Sequence, residues 1–290
     1  QVEIFHRKQE LTVHVVRQFQ AHHHAFAIDA AEHPLDRIEI VLAEFDAFGN
    51  RFDTMYLLNL VSETKGNGAD TAIQISHVRG IANGGFDGAE QGIKFVKERG
   101  DAMALAAGLE PTSMAAVLGG DQSVVEARLA ELGLEPANYN GGGQIVAAGS
   151  ASSIGELQAE GPAGARVIPL QVAGAFHTRY MAPAVETLAT YAGGMTVGDP
   201  VSKLWTNAGG KSVSSGQEFV QLMVNQVKSP VRWDLCMQAM VEAGVTALIE
   251  VSPAGTLTGL AKRSMPGIES VAIKTPDNLD AALALIENHA

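Results

Sequence analysis

From Gly92 onward the apolar and polar positions fall into two clean periods. The stretch "GIKFVKERGDAMALAAG" (92–108) places Ile93, Val96, Met103 and several alanines at helical spacing, and it ends on Gly108, a natural site for a left-handed cap. "TSMAAVLGG" (112–120) reads as a strand running into glycine, and "DQSVVEARLAELG" (121–133) as a short amphipathic helix. That helix is capped by Asp121, with Val124, Val125, Leu129 and Leu132 on one face. "QIVAAGS" (144–150) predicts a strand, "ASSIGELQAEG" (151–161) a helix and "ARVIPLQVAG" (165–174) another strand. Residues 113–170 therefore give strand, helix, strand, helix, strand, which suits a small sheet with helices on one face. Helices are expected at 180–193, 215–228 and 231–243, and strands at "KLWTNAGG" (203–210) and "TALIEVS" (246–252).

The first 92 residues lack this clarity. Their apolar positions fit helix and strand equally, and they hold seven of the nine histidines, including the run "AHHHA" at 21–25. Imidazole is a common zinc ligand, but neighbouring helical residues point about 100° apart, so three adjacent histidines do not converge on one ion from a regular helix. The run reads as a solvated polar stretch, with no metal expected. "NGGGQ" (140–144) lacks the lysine and the serine or threonine of a phosphate loop and reads as a turn entering a strand.

Composition narrows the class. With 290 residues, 46% of them apolar, the chain can bury a large core or two smaller ones. A net charge of -12 excludes nucleic acid as the main partner, because phosphate binding needs a basic surface. The single cysteine, Cys236, forbids an internal disulfide and points to a reducing compartment, the cytoplasm. No run approaches the roughly 18 apolar residues of a membrane span, and the charged opening "QVEIFHRKQE" is unlike a secretory signal. The start on Gln1 rather than methionine predicts a fragment or a processed terminus.

The residue that draws the chemistry is His177, set in "AGAFHTRYMAPA" (173–184) between an aromatic and a hydroxyl residue. Its side chain titrates near neutrality and can take and return a proton within one turnover. By residue type alone it fits either a packed structural histidine or a proton shuttle. Arg99 alone fits a capping charge, and Gln226 alone a solvated helix position.

Six blocks, in order and spacing, decide between these readings: "VKERGDAM" (96–103), "MAAVLGG" (114–120), "PANYNGGGQIVAAG" (136–149), "VAGAFHTRYMAPA" (172–184), "VNQVKSPVRWDLCM" (224–237) and "EVSPAGTLTGLAKR" (250–263). Through them the segment from about residue 92 to the C-terminus resembles the bacterial malonyl-CoA:acyl-carrier-protein transacylases of the actinobacterial kind. The resemblance implies an α/β fold, an α/β-hydrolase-like large domain (93–112 and 171–290) with an inserted ferredoxin-like small domain (113–170), leaving 1–92 unassigned. It implies malonyl transfer from coenzyme A to the phosphopantetheine thiol of acyl carrier protein, in fatty acid biosynthesis, by a serine and a histidine and without a cofactor. It also implies roles: His177 as the base, Arg99 gripping the malonyl carboxylate with a planar guanidinium, and Gln226 marking the acceptor that orients the imidazole. Asn138 and Asn140 are expected to shape a loop.

Two motifs of that family are missing. Neither its Gly-His-Ser-x-Gly-Glu turn nor its N-terminal Gly-Gln-Gly loop occurs in the chain. The nearest remnant, "ISHVRGIANGG" (75–85), offers Ser76, but Val78 and Arg79 are too bulky for the crowded strand-to-helix turn that presents a nucleophile. The nucleophile is left unknown. Two explanations of the break near residue 92 stay open: a frame disruption upstream, or a divergent protein that kept the acyl pocket and lost turnover. Accordingly two functions are carried forward, an acyltransferase of fatty acid or polyketide synthesis and a non-catalytic binder of carrier protein or coenzyme A. A monomer is expected. Because carrier protein is acidic, Arg179, Lys203, Lys262 and Arg263 are expected to share a docking rim, so that glutamate at 179 and 262 would weaken carrier binding most at low salt.

Overall fold

The computed structural model of the chain describes residues 89–200, 203–251 and 254–289, together with six short strands before residue 89. Those strands are β1 (Val2–Ile4), β2 (Val13–Val15), β3 (Glu39–Glu44), β4 (Thr54–Asn59), β5 (Val61–Ser62) and β6 (Thr71–Ala72). Then come α1 (Ala89–Ala107), β7 (Thr112–Gly119), α2 (Gln122–Glu131), β8 (Glu135–Gly141), β9 (Gln144–Ser150), α3 (Ala151–Ala159) and β10 (Ala165–Pro169). The rest is α4 (Ala182–Gly193), β11 (Leu204–Thr206), β12 (Lys211–Val213), α5 (Gly216–Gln226), β13 (Val231–Arg232), α6 (Trp233–Glu242), β14 (Ala247–Val251), α7 (Thr256–Ser264), β15 (Glu269–Ile273) and α8 (Leu279–His289). The protein is α/β.

The run β7-α2-β8-β9-α3-β10 builds a sheet in the order β10-β7-β9-β8, with β7, β9 and β10 antiparallel to their neighbours. This is the ferredoxin-like arrangement. Alternation along its strands sends side chains to two buried faces. Ala115, Val117, Ile145 and Ala147 meet Val125, Leu129, Ile154 and Leu157 of α2 and α3. Met114, Val146 and Ala148 point the other way, into a core shared with Phe95 and Met103 of α1 and Leu188 of α4. A fifth strand, β13, lies parallel to β8 at Val231↔Asn138, so chain from beyond the histidine loop closes the sheet's edge.

The second sheet has the order β15-β14-β3-β4, with β14 parallel to both β15 and β3. All five residues of β14 are buried, as expected of a strand covered on both faces. One of them is Glu250, fully buried, whose carboxylate accepts from the main-chain N–H groups of Gly255 (2.8 Å), Leu257 (2.9 Å) and Thr258 (2.9 Å) and from the Thr258 hydroxyl (2.9 Å). The carboxylate thus caps the N-terminus of α7, where the helix presents unpaired donors and the positive end of its dipole.

Several local expectations change in the structure. The apolar pattern does not predict β8, and Asn138 and Asn140 lie within it, not in a loop. Its hairpin to β9 turns on Gly142 and Gly143 with φ of 56° and 73°, both in the left-handed region that a two-residue hairpin turn requires. Asp121 does cap α2, accepting from Ser123 N–H (2.9 Å) and Val124 N–H (3.3 Å). The buried face of α2 is Val125 and Leu129, however, and Val124 is exposed. In α1 the buried stripe runs through Phe95, Arg99, Ala102, Met103 and Ala106 rather than through Val96, and Gly108 is not left-handed. "KLWTNAGG" opens a hairpin, β11 with β12, and does not form one long strand. Residues 231–232 form β13 before α6 begins at Trp233.

Candidate active site

The site is assembled from three segments far apart in sequence. Arg99 sits on the buried stripe of α1, with 4% of its surface exposed. Gln226 is the last residue of α5, whose apolar stripe Phe219, Val220, Met223 and Val224, with Val227 at the cap, is anchored in the same core as Phe95 and Met103. His177 lies in the connection from β10 to α4, 2% exposed, with Phe176 buried beside it.

Main-chain and side-chain hydrogen bonds fix the histidine. His177 has φ of 61°, the one positive value for a non-glycine among the described residues. Its N–H donates to the carbonyl of Val227 (3.0 Å), and its ring Nδ1 lies 3.1 Å from the carbonyl of Gln226. A carbonyl oxygen only accepts, so Nδ1 carries the proton and the ring's lone pair is on Nε2. Gln226 is the last residue of α5 and Val227 its C-cap, so both carbonyls stand at the C-terminal end of that helix.

Thr178 locks the loop. Fully buried, its hydroxyl donates to the carbonyl of Ala175 (2.6 Å) and accepts from Tyr180 N–H (3.4 Å), at the start of a 3-10 turn over Arg179–Met181. Ala175 N–H in turn donates to the Thr112 hydroxyl at the start of β7 (3.0 Å). Gly174 runs so close to α1 that a Cβ there would stand 2.7 Å from the Cβ of Ala107. The sequence pattern points to neither the Thr178 hydroxyl bond nor Thr112. The hydroxyl beside His177 was the visible signal, but its partner is the carbonyl three residues back. Thr178→Val is expected to cost about 1 to 2 kcal/mol of stability, since it leaves buried groups unpaired. Denaturant titration measures that cost.

Arg99 Nη2 donates to the side-chain Oε1 of Gln226 at 2.7 Å. Histidine and arginine are therefore joined through one residue, its main chain holding the imidazole and its side chain the guanidinium. Gln226 is 7% exposed, so it is a buried helix position and not a solvated one. An acceptor of the histidine does stand at Gln226, and it is the main-chain carbonyl, not the amide side chain. Ser76 and His22–His24 lie outside the described residues.

Two of the four basic groups stand at opposite ends of β8. Arg179 pairs with Glu135 at the start of β8 and donates to the Gly133 carbonyl (3.3 Å). Arg263 reaches Gln144 (3.1 Å) at the hairpin that ends β8. A strand of this length separates them by about 20 Å. Lys203 lies over the Trp205 ring, 4.8 Å from its centre.

A ferredoxin-like sheet set into a larger α/β body, with a loop histidine and a buried arginine converging at the end of one helix, defines an acyltransferase-type architecture. Comparison with known proteins bears this out. The malonyl CoA-acyl carrier protein transacylase of Mycobacterium tuberculosis (strain ATCC 25618 / H37Rv) is 44% identical over 206 residues, 71% of this chain and 68% of the relative. The transacylase of the same name from Mycolicibacterium smegmatis is 43% identical over 210 residues, 71% of this chain and 72% of its own. A crystal structure of MCAT from M. tuberculosis superposes with a TM-score of 0.66 at 45% identity, over 68% of this chain and 66% of that one. A type II PKS acyl-carrier protein in complex with its malonyl-transacylase matches at TM-score 0.65 and 29% identity, over 71% of this chain and 68% of that one. No protein-family model matches the chain. The chain belongs to the malonyl CoA-acyl carrier protein transacylase family, and by family it is an acyltransferase. It spans about two thirds of the length of these relatives, 68% of the mycobacterial protein.

Proposed function

We propose that the chain carries the malonyl-recognising and proton-shuttling half of a transacylase site, transferring malonyl from coenzyme A to the phosphopantetheine thiol of acyl carrier protein through a serine ester. His177 Nε2 takes the proton of the attacking hydroxyl and delivers it to the departing thiolate of coenzyme A. In the second half it takes the proton of the incoming thiol and returns one to the serine oxygen as that ester breaks. Arg99 holds the malonyl carboxylate. The main-chain carbonyl of Gln226 steadies the imidazolium with less charge than the carboxylate found in many hydrolases. The observation that carries the reading is the convergence of His177 and Arg99 on Gln226 at 3.1 and 2.7 Å. We place the small domain at 113–170 and the large domain at 93–112 and 171–290, and we take the protein to act as a monomer in the cytoplasm, in line with its single cysteine.

The missing Gly-His-Ser-x-Gly-Glu turn favours a second reading, a binder of malonyl-CoA or carrier protein that does not turn over. Incubation with labelled malonyl-CoA followed by denaturation separates the two. Label retained on the denatured chain supports transfer. Label that binds the native protein and is released on denaturation supports binding alone. Failure to bind at all contradicts both.

No helix among the described residues is long and apolar enough to cross a membrane. Among them, too, no group of three histidine, cysteine or carboxylate side chains is placed to hold a metal ion.

A further inference from the structure

The amide of Gln226 has one oxygen and one nitrogen, and the structure accounts for only the first. Arginine has no acceptor, so the atom 2.7 Å from Arg99 Nη2 must be the oxygen, and the opposite end of the amide is Nε2. That nitrogen is buried and has no hydrogen-bond partner among the described residues, on a residue more than nine-tenths buried. An unpaired buried donor is costly, and its persistence calls for an explanation such as a missing ligand. The main chain of the same residue holds His177, so the unpaired N–H groups sit within the site and not in a remote part of the core. A single side chain thus anchors the arginine and offers a donor next to it.

We propose that Nε2 of Gln226 is a second donor to the free carboxylate of the acyl group, which makes the Gln226 side chain a specificity-determining residue for dicarboxylic over monocarboxylic acyl thioesters. The inference rests on the malonyl reading above. A carboxylate has two oxygens and lone pairs enough for both donors, and its single negative charge balances Arg99 while the neutral amide adds direction without adding charge. An acetyl group supplies no acceptor at that end, so Nε2 stays buried and unpaired when acetyl-CoA binds. Discrimination then arises as much from the penalty left by the wrong substrate as from the bond made with the right one.

The test is calorimetric binding of malonyl-CoA, acetyl-CoA and the carboxamide analogue malonamoyl-CoA to the full chain and to Gln226→Glu, Gln226→Met and Arg99→Ala, each checked for folding by circular dichroism. Gln226→Glu keeps an acceptor for Arg99 but replaces the donor with a second acceptor. It is expected to lose about tenfold or more in affinity for malonyl-CoA, the worth of a hydrogen bond to a charged group. Acetyl-CoA binding should barely change, and the preference should move toward malonamoyl-CoA, whose amide can donate to the new carboxylate. Gln226→Met, neutral and similar in length, should lose malonyl preference without gaining the carboxamide. If both Gln226 variants fold and keep the full preference for malonyl-CoA while Arg99→Ala abolishes it, the amide is no part of recognition and the inference is overturned. If the unaltered chain does not prefer malonyl-CoA and Arg99→Ala changes nothing, the malonyl reading itself fails.

Discussion

Arg99→Ala is expected to weaken malonyl-CoA binding by about 2 to 5 kcal/mol and leave acetyl-CoA binding nearly unchanged, because the substrate carboxylate would enter a buried site with no cation to meet it. Arg99 is 4% exposed on the inner stripe of α1, between Phe95 and Ala102, so water cannot easily replace it. The loss should exceed what an exposed ion pair contributes, about 0 to 1 kcal/mol, and should resist added salt. Arg99→Lys should recover only part of it, since a point charge on a flexible stem cannot grip two oxygens in parallel. Equal weakening for malonyl- and acetyl-CoA would instead mean that Arg99 holds the helix in place rather than the acyl group.

The second large effect is on stability. Glu250→Ala should cost about 3 to 5 kcal/mol, because it strips a buried carboxylate from four donors at the head of α7 and leaves them with no acceptor. Glu250→Gln keeps an oxygen for some of these donors and adds an amide N–H that faces them, so it should lie between the wild type and the alanine variant. Denaturant midpoints at constant m-value give the ordering. Near-equal stability of all three proteins would show that α7 finds other caps. This residue stands outside the reaction, so a stabilising role predicts that malonyl-CoA affinity per folded molecule is unchanged.

The sequence carried the periodic parts of this fold and lost the parts set by tertiary pairing. α2, α3, α4 and α5 follow from apolar spacing, and α2 also from its cap Asp121. β8 did not, because "EPANYNG" contains proline, two asparagines and glycine, residues poor in strand propensity. It is a strand because β9 and β13 flank it, and two register shifts against β9 break the alternation that would have revealed it. The resemblance named His177, Arg99 and Gln226, but residue type suggested a solvated Gln226 where the helix end is buried. A better clue lay in the pattern itself: Arg99 falls four residues after Phe95 and three before Ala102, so an arginine on the buried stripe of α1 was there to be read. The supporting bonds of Thr178 to Ala175 and of Thr112 to the histidine loop have no such pattern, since they join segments brought together only by the fold.

The most direct measurement is a crystal structure of the chain with malonyl-CoA bound. The site described here predicts the malonyl carboxylate on Arg99, within hydrogen-bond reach of Gln226 Nε2, and the thioester on the side of His177 that presents Nε2. An acyl group lying elsewhere, with neither Arg99 nor Gln226 touching its carboxylate, would contradict it.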